Sequence, residues 1–411
     1  MAKKTISAFD IIKKVDDSAM IVAENENAEV KEFVSSGSYI LNACITGSIL
    51  KGFPSGRLTV LSGDPGTGKT FIALSACREA QKMGYTPIYL DSENAVDKDS
   101  MERLGIDTNN IILLNVNVIT DVSNFMANLV NELDELKKKN KPEDLPKFIL
   151  VLDSLGNLTS SKEKEEMEKS GNPKRDMTKQ QEIKAMFRVN TVGLARHDII
   201  TLVTSHTYST QDLFSKKIVS GGSGLLYNAS VILMFSMAKL DDKENTKAAE
   251  AEGLGKKDVV KTGVLVTVKP EKTRFCKPIK VQFQIPFFKR INKFVGLEQF
   301  LNWENAGIAQ GRIYNEKELG KATKADQSIA EEFEFEGEKR YFVPRPTARK
   351  IAIKHLGADI DPEDLWTDTV FTDEFLKHID DTIIRPLFEL PSHFDDKADI
   401  AELLDDLNIE K

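Results

Sequence analysis

The sequence has few cysteines, few histidines and no long apolar run. Its three cysteines, Cys44, Cys77 and Cys276, are scattered along 411 residues, so they give neither a disulfide framework nor a metal-ligand spacing. The five histidines lie far apart, which argues against a histidine-rich metal site. No apolar run approaches the roughly 20 residues of a membrane-spanning helix, and no apolar signal core follows the N-terminus. We therefore expect reduced thiols, a cytoplasmic protein and no membrane partner.

The composition is that of an ordinary soluble globular protein. Hydrophobic residues make up 41% of the chain and charged residues 29%. A chain of 411 residues is too long for one typical core, so we expect two domains with additional terminal segments. The net charge of −8 argues globally against nucleic acid as a partner. The charge is uneven along the chain, however, and local basic segments matter more than the total.

One glycine-rich segment organises the interpretation of the whole chain. It fits the phosphate-binding pattern G-x-x-x-x-G-K-[ST], with a predicted strand before it and a predicted helix after it. Glycines let successive backbone N–H groups point at phosphate oxygens, and the helix adds its positive end. A glycine-rich turn that binds nothing is the alternative. The pattern predicts a nucleoside triphosphate site formed by Gly63, Asp64, Pro65, Gly66, Thr67, Gly68, Lys69 and Thr70.

Three side chains of this site have predicted roles in phosphate and metal binding. Lys69 is expected to reach the β- and γ-phosphates, and the Thr70 hydroxyl to bind Mg²⁺. Residues 148–152 form a continuous apolar run that predicts a strand covered on both faces. Asp153 ends this run, where a Walker B carboxylate would hold Mg²⁺ directly or through water.

Apolar strands alternate with helices through the first three quarters of the chain, which predicts an α/β fold. Two polar stretches, 158–178 and 207–222, interrupt this pattern and are predicted as loops, since long loops inside compact domains are usually functional or disordered. An antiparallel pair, 264–268 and 280–285, is predicted to bracket residues 269–278. Past Phe294 the pattern stops; residues 296–311 are predicted to be helical, and 341–355 and 371–388 mixed or helical. The predicted organisation is a terminal element at 1–35, a core at 36–295, a small C-terminal domain at 296–394 and an acidic tail at 395–411.

These features together resemble the RecA family of DNA strand-exchange ATPases, and within it the recombinases of T4-type bacteriophages. The resemblance rests on the phosphate-binding loop, the strand that ends at Asp153, and the two polar loops after Asp153 and His206. Further similar segments are 90–95, 153–158, 176–178, 205–211, 214–216 and 221–230. The resemblance covers roughly residues 36–285. It implies a RecA-like P-loop ATPase core with a mostly parallel twisted sheet, a short N-terminal helix–strand polymerisation element and a small α+β C-terminal domain.

The resemblance also implies catalytic roles for four residues besides Lys69. Glu93 occupies the position of the glutamate that orients the attacking water. His206 stands where the family places a polar side chain that senses the γ-phosphate, and an imidazole can donate to a phosphate oxygen. Lys272 and Arg274 lie in the segment through which family filaments reach into the neighbouring subunit's ATP, where a cation stabilises transition-state charge. The alternatives are a solvated glutamate, a structural histidine and a solvated basic hairpin.

The two polar loops are implied to bind DNA. Cations there would neutralise phosphates without reading sequence, and glycine N–H groups would approach phosphates. An apolar side chain wedged between bases contributes about 1–3 kcal/mol per base. Two mobile loops with routine charge are the alternative. The implied DNA-binding residues are Arg175, Met177 and Lys179 in the first loop, and Leu213, Phe214, Lys216, Lys217, Gly221 and Gly222 in the second.

Two further points concern the base of the nucleotide and the N-terminus. Relatives place an aromatic side chain against adenine after the glutamate strand, but residues 97–101 contain none. Asp97 remains the candidate for a contact with adenine. How Ser100 and Met101 accommodate the base stays open.

A predicted helix at 7–15 and a predicted strand at 19–23 match the family's polymerisation element. An unpaired strand is a template for another chain, which suits that role.

The resemblance implies an ATP- and Mg²⁺-dependent DNA recombinase. It would polymerise as a helical filament on single-stranded DNA and exchange it with homologous duplex DNA in recombination, repair and recombination-dependent replication. A single-strand-binding protein and a loading mediator are implied partners, and the cytoplasm of an infected bacterium is the implied location. Two alternatives stay open: a hexameric helicase or motor that forms closed rings, and a nucleotide-gated binding module or mediator.

Overall fold

The computed structural model describes residues 8–15, 29–170, 178–209, 217–238, 263–287 and 289–390. The strands are β1 (Phe33–Val34), β2 (Phe53–Pro54), β3 (Leu58–Gly63), β4 (Tyr85–Asp91), β5 (Ile112–Asn115), β6 (Lys147–Asp153), β7 (Ile200–Ser205), β8 (Thr207–Ser209), β9 (Lys217–Val219), β10 (Val231–Ala238), β11 (Gly263–Thr273), β12 (Val281–Pro286), β13 (Ile308–Asn315), β14 (Glu331–Phe335), β15 (Glu338–Pro344), β16 (Ile351–Ile353) and β17 (Ala358–Ile360). The first eight helices are α1 (Ala8–Val15), α2 (Tyr39–Thr46), α3 (Lys69–Lys82), α4 (Lys98–Arg103), α5 (Ile119–Lys137), α6 (Ser161–Ser170), α7 (Lys179–Arg196) and α8 (Gly222–Asn228). Further helical segments are Pro142–Asp144, Leu155–Asn157, Leu297–Gln299, Trp303–Ala306, Glu316–Leu319, Lys324–Ile329, Lys354–Leu356, Pro362–Asp364, Asp373–Ile379, Asp380–Ile384 and Arg385–Phe388.

An eight-stranded sheet forms the centre of the protein. Its strand order is β12-β11-β10-β3-β7-β6-β4-β5. All neighbours from β10 to β5 pair in parallel, whereas β11 and β12 add an antiparallel edge. Because the carboxyl ends of parallel strands meet at one edge of a sheet, the residues that follow β3, β4, β6 and β7 come together there.

Helices cover both faces of this sheet. One face packs against α2 and α3, and the other against α5, α7 and α8. The residues of β6 from Ile149 to Leu152 are fully buried, as expected for a parallel strand with helices on both sides. The α/β fold class with a mostly parallel sheet is therefore confirmed.

A second, antiparallel sheet follows the core and confirms the predicted small α+β domain. Its strand order is β14-β15-β13-β16-β17. Trp303 stacks on Phe342 with ring centroids 3.8 Å apart and contacts Phe333 edge-on. The helical prediction for 296–311 is wrong over most of its length. Only Leu297–Gln299 and Trp303–Ala306 are helical, and Gly307, with φ of 64°, ends the second segment before β13 begins.

The loop predicted at 158–178 contains helix α6. Its start is capped in both directions: the Ser160 hydroxyl accepts from the Glu163 N–H, and the Glu163 carboxylate accepts from the Ser160 N–H, each at 3.1 Å. This capping box satisfies N–H groups that a helix start leaves unpaired. Lys169 and Glu165 add an exposed ion pair one turn apart. The loop prediction is therefore wrong for Ser161–Ser170, where capping and charged pairs stabilise a helix that has few apolar residues.

The second predicted loop, at 207–222, begins and ends with paired backbone. β8 and β9 form a two-stranded antiparallel ladder in which Thr207 lies opposite Val219 and Ser209 opposite Lys217.

The antiparallel pair formed by β11 and β12 is longer than predicted, because β11 continues through Lys269 and Lys272 to Thr273. At the N-terminus, α1 is present as predicted, and the strand expected at 19–23 lies outside the described residues.

The helical segments after Phe371 pack back onto the core through a buried carboxylate. Asp380 is fully buried and accepts hydrogen bonds from the Ser48 hydroxyl and the Ile49 N–H, both at 2.7 Å. The Arg385 guanidinium lies 3.0 Å from the same carboxylate. These contacts tie the C-terminal helical segments to the residues after α2.

Replacing Asp380 with Ala should destabilise the fold, because it leaves buried donors without an acceptor. The expected loss in the free energy of unfolding is about 2–4 kcal/mol, measured by urea denaturation. Asp381 is a matched control, since its exposed carboxylate also lies 3.0 Å from Arg385. Asp381→Ala should cost less than about 1 kcal/mol. Equal losses in the two variants would contradict the role assigned to Asp380.

Candidate nucleotide-binding and catalytic site

The glycine-rich loop connects β3 to α3, as predicted. Gly66 and Gly68 have φ of 76° and 85°, a backbone conformation that favours glycine. Lys69 begins α3, and its buried ammonium donates to the carbonyl oxygens of Gly63 and Asp64, both at 2.9 Å. Burial lowers the pKa of Lys69, and the carboxylates of Asp153, Glu93 and Asp64 partly oppose this shift. The loop thus holds the Lys69 ammonium against its own backbone carbonyls.

Asp153 ends β6 at the same sheet edge and is held by two neighbouring strands. The Tyr89 hydroxyl of β4 donates to its Oδ2, and the Thr204 hydroxyl of β7 donates to its Oδ1. Burial, followed by the charge of Asp153, raises the pKa of Tyr89, which keeps this phenol a donor. Sequence reasoning missed Tyr89 and Thr204, although both stand near the ends of predicted strands.

Asp91 fixes the backbone of the turn that follows β4. It ends β4, and its carboxylate accepts from the N–H groups of Glu93, Ala95 and Val96 at 2.9, 3.1 and 3.3 Å. These three bonds fix the turn that carries Glu93. The sequence places Asp91 two residues before Glu93, but nothing in the sequence distinguishes its role from that of a ligand.

Glu93, Ser154 and His206 form a polar cluster beside Asp153. The Ser154 hydroxyl donates to Glu93 Oε1 at 2.5 Å, and His206 Nε2 lies 3.3 Å from the same oxygen. The Ser92 hydroxyl donates to the Ser154 carbonyl and accepts from the Ser154 N–H, which ties the ends of β4 and β6 together. The structure thus brings the predicted Glu93 and His206 into contact and adds Ser154, which sequence reasoning did not single out.

A cavity of about 530 Å³ extends from the glycine-rich loop past this cluster. Its phosphate end contains loop residues together with Glu93, Asp153 and His206. The rest is mainly apolar, as ligand pockets usually are. The remaining lining residues are Phe71, Leu74, Ala95, Val96, Ser100, Arg103, Leu104, Ser154, Val264, Ile285, Pro286 and Phe287.

The structure shows which residues of the segment 97–101 line the cavity. The Asp97 carboxylate caps α4 by accepting from the Ser100 N–H at 2.8 Å, and the Ser100 hydroxyl donates back to the Asp97 carbonyl. Met101 is buried in the core. Ser100 and Arg103 line the cavity, whereas Asp97 is engaged in the helix cap. Arg103 and Phe287, which sequence reasoning did not single out, also line the cavity.

The donors at the phosphate end suit Mg²⁺ bound together with a triphosphate. Mg²⁺ is usually held by one or two carboxylates, water and substrate phosphates rather than by a complete protein cage. The half-buried Thr70 and the Asp153 carboxylate both line this end. Within the described ranges, no group of three acidic, histidine or cysteine side chains forms a separate metal site.

The predicted trans-acting cations lie away from the cavity of their own chain. Lys272 is on β11, and its ammonium donates to the Leu226 carbonyl at 2.8 Å and the Tyr227 carbonyl at 3.3 Å, at the end of α8. Arg274 follows β11 and is exposed. Burial, followed by the charge of Arg274, lowers the pKa of Lys272. Neither residue lines the cavity.

Four of the predicted DNA-binding residues lie in the described part of the chain. Lys179 donates to the Gly156 carbonyl at 2.9 Å, and Lys217 forms an ion pair with Asp64 of the glycine-rich loop. Gly221 and Gly222 have φ of 113° and 75° and precede or begin α8. The others, Arg175, Met177, Leu213, Phe214 and Lys216, lie outside the described residues.

The fold and this site define the chain as a P-loop protein of the α/β class. Residues 3–195 match the RecA N-terminal domain family, which confirms the resemblance predicted from the motifs. In the part of the chain that the structure describes, no helix has the length and apolar character needed to cross a membrane.

Three relatives illustrate the similarity. The "Recombination and repair protein" of Enterobacteria phage T4 is 27% identical over 216 residues, which are 52% of this chain and 52% of the relative. The protein RecA of Mycoplasmopsis pulmonis is 26% identical over 71% of this chain and 77% of its own length. The protein RecA of Mesomycoplasma hyopneumoniae is 25% identical over 77% of this chain and 89% of its own. The chain thus spans about half the length of the phage relative.

Proposed function

We propose that this protein is an ATP-dependent DNA recombinase that forms helical filaments on single-stranded DNA and pairs it with homologous duplex. One observation carries the proposal: His206 contacts Glu93 at the nucleotide site and is followed directly by the β8–β9 hairpin. A conformational change caused by nucleotide binding or hydrolysis can therefore pass through His206 to the β8–β9 hairpin, which belongs to the segment proposed to bind DNA. The name of the phage T4 relative supports recombination and repair as the process.

The residues of the cavity have different proposed roles in ATP hydrolysis. Loop N–H groups and Lys69 would bind the phosphates, and Glu93 would orient the attacking water. Thr70 and Asp153 would hold Mg²⁺, which supplies positive charge to the β- and γ-phosphate oxygens when bound. Ser154 and His206 hold Glu93 in place, and His206 would also sense the γ-phosphate.

Assembly would complete the site. Lys272 and Arg274 lie away from their own cavity, so their proposed role requires an adjacent subunit. Tyr227 is 75% exposed beside Lys272, and the edge strand β5 exposes Ile112 and Leu113, each at 44%. An open apolar strand edge is a template for a strand of another chain. A head-to-tail interface of this kind generates a filament when it does not close.

DNA would lie along the two segments that follow β6 and β7. Lys179, Lys217, Gly221 and Gly222 are the described residues proposed to contact phosphates. A single-strand-binding protein and a loading mediator are proposed partners. The phage T4 relative supports the cytoplasm of an infected bacterium as the place of action.

The direct test is ATP hydrolysis with and without DNA. Single-stranded DNA should raise the rate by an order of magnitude or more, because assembly on DNA would supply the trans cations, each worth roughly 10³-fold or more in related chemistry. Negative-stain images with a slowly hydrolysed ATP analogue should show helical filaments. Activity unaffected by DNA, or closed rings in the images, would contradict the proposal.

A further inference from the structure

The second residue of the glycine-rich loop contacts the hairpin that follows β7. The Asp64 Oδ1 atom accepts from the Thr207 hydroxyl at 2.6 Å, and Oδ2 pairs with the Lys217 ammonium. Thr207 begins β8 and Lys217 begins β9, so one carboxylate holds both strands of the hairpin. Hydrogen bonds from Lys217 and Thr207 lower the pKa of Asp64, so the carboxylate is charged at neutral pH.

The backbone of the same residue contacts the phosphate-binding lysine. The Asp64 carbonyl accepts from Lys69 Nζ at 2.9 Å and from the Thr67 hydroxyl at 2.8 Å. A bound triphosphate would compete for the donors of Lys69, because Lys69 is the residue expected to contact its phosphates. The Asp64 carbonyl therefore contacts the lysine expected to bind phosphate, and the Asp64 carboxylate contacts the β8–β9 hairpin.

Other contacts also hold the hairpin on the core. The Ser220 N–H donates to the His206 carbonyl at 2.9 Å, and the Ser205 hydroxyl donates to the Ser220 carbonyl at 2.8 Å. The side chains of Asp64 and Lys217 are 45% and 48% exposed, so water screens their attraction and the pair adds little stability. A weak, exposed contact between two functional segments can break and re-form at low cost.

We infer that Asp64 is a positioning residue that transmits the conformation of the phosphate-binding loop to the β8–β9 hairpin. This route is separate from the one through His206 and Glu93. When a triphosphate withdraws Lys69 from the Asp64 carbonyl, the Asp64 carboxylate shifts relative to Thr207 and Lys217. The Lys217 ammonium is then presented differently to DNA. This inference rests on the proposed function for its DNA consequence, whereas the motion of the hairpin can be tested without DNA.

The first experiment measures amide hydrogen exchange of β8 and β9 without DNA, before and after addition of a non-hydrolysed ATP analogue with Mg²⁺. Wild-type protein should show a change on addition, and Asp64→Asn should show less than about half of it, since the isosteric amide cannot form the ion pair. Glu135→Gln is the matched control, because Glu135 forms a similarly exposed pair with Lys138 at 2.6 Å. An equal change in Asp64→Asn and wild type would overturn the inference.

The second experiment measures the affinity for single-stranded DNA with and without the same analogue. The ratio of the two affinities is the coupling between the sites, and it should fall about fivefold in Asp64→Asn and in Lys217→Gln. The double variant should show no further fall, because both changes remove one contact. Unaltered coupling in Asp64→Asn would overturn the inference. If wild-type protein binds no DNA at all, the proposed function fails, and the exchange experiment alone decides the role of Asp64.

Discussion

Replacing Glu93 with Gln should reduce the kcat for ATP hydrolysis by about 10²- to 10⁴-fold, the range typical of a positioned general base. The amide keeps the size of the side chain and can still accept a hydrogen bond from Ser154, so the local structure should persist. It cannot accept a proton from water, and it orients water less strongly than a carboxylate does. Steady-state hydrolysis with saturating single-stranded DNA measures the effect.

The same variant should retain nucleotide binding and the proposed filaments, because the proposed phosphate contacts come from the glycine-rich loop. Glu102→Gln is a suitable control, since Glu102 is an exposed glutamate on α4 whose carboxylate lies 3.6 Å from Lys98. We expect wild-type kcat for this control. A Glu93→Gln protein with more than half of the wild-type kcat would contradict the assignment of Glu93.

Removing a trans cation should be comparably severe. Lys272→Ala and Arg274→Ala should each reduce the DNA-stimulated kcat by about 10³-fold or more, because a cation supplied across an interface stabilises the transferred charge. Nucleotide affinity in the absence of DNA should change little, since neither residue lines the cavity of its own chain. Hydrolysis with and without DNA, and nucleotide titration without DNA, measure the two effects.

Mixing two inactive variants makes this prediction specific. In a mixed filament, a Lys272→Ala subunit keeps its own Glu93, and a Glu93→Gln neighbour supplies Lys272. An equal mixture should therefore regain about a quarter of the wild-type activity, because random head-to-tail neighbours complete that fraction of sites. Lys280→Ala, on the exposed connection after β11, is the control and should keep full activity. No recovery in the mixture would place both residues in the same subunit's site or outside it.

The motif residues were predictable from the sequence because their chemistry is local. The spacing of glycines around Lys69 fixes the loop, and the apolar run before Asp153 fixes a buried parallel strand. The rule that parallel strands end at one sheet edge then brings Glu93, Asp153 and His206 together. The family resemblance supplied their expected roles, which composition and periodicity do not contain.

The supporting contacts could not be predicted, because they join residues far apart in the chain. Tyr89 and Thr204 reach Asp153 only through the order β4-β6-β7, which no local pattern specifies. The contact between Asp64 and Lys217 spans 153 positions. Helix α6 was missed for a different reason: its stability comes from caps and charged pairs, whereas the prediction relied on apolar periodicity.

The two hydroxyls on Asp153 have a mechanical consequence. They join the carboxyl ends of the adjacent strands β4, β6 and β7, so we expect this edge of the sheet to be rigid. A conformational change caused by nucleotide binding would then be confined to the segments that follow these strands. Backbone amides of β4, β6 and β7 next to Asp153 should accordingly exchange as slowly as any in the core, whatever nucleotide or DNA is added.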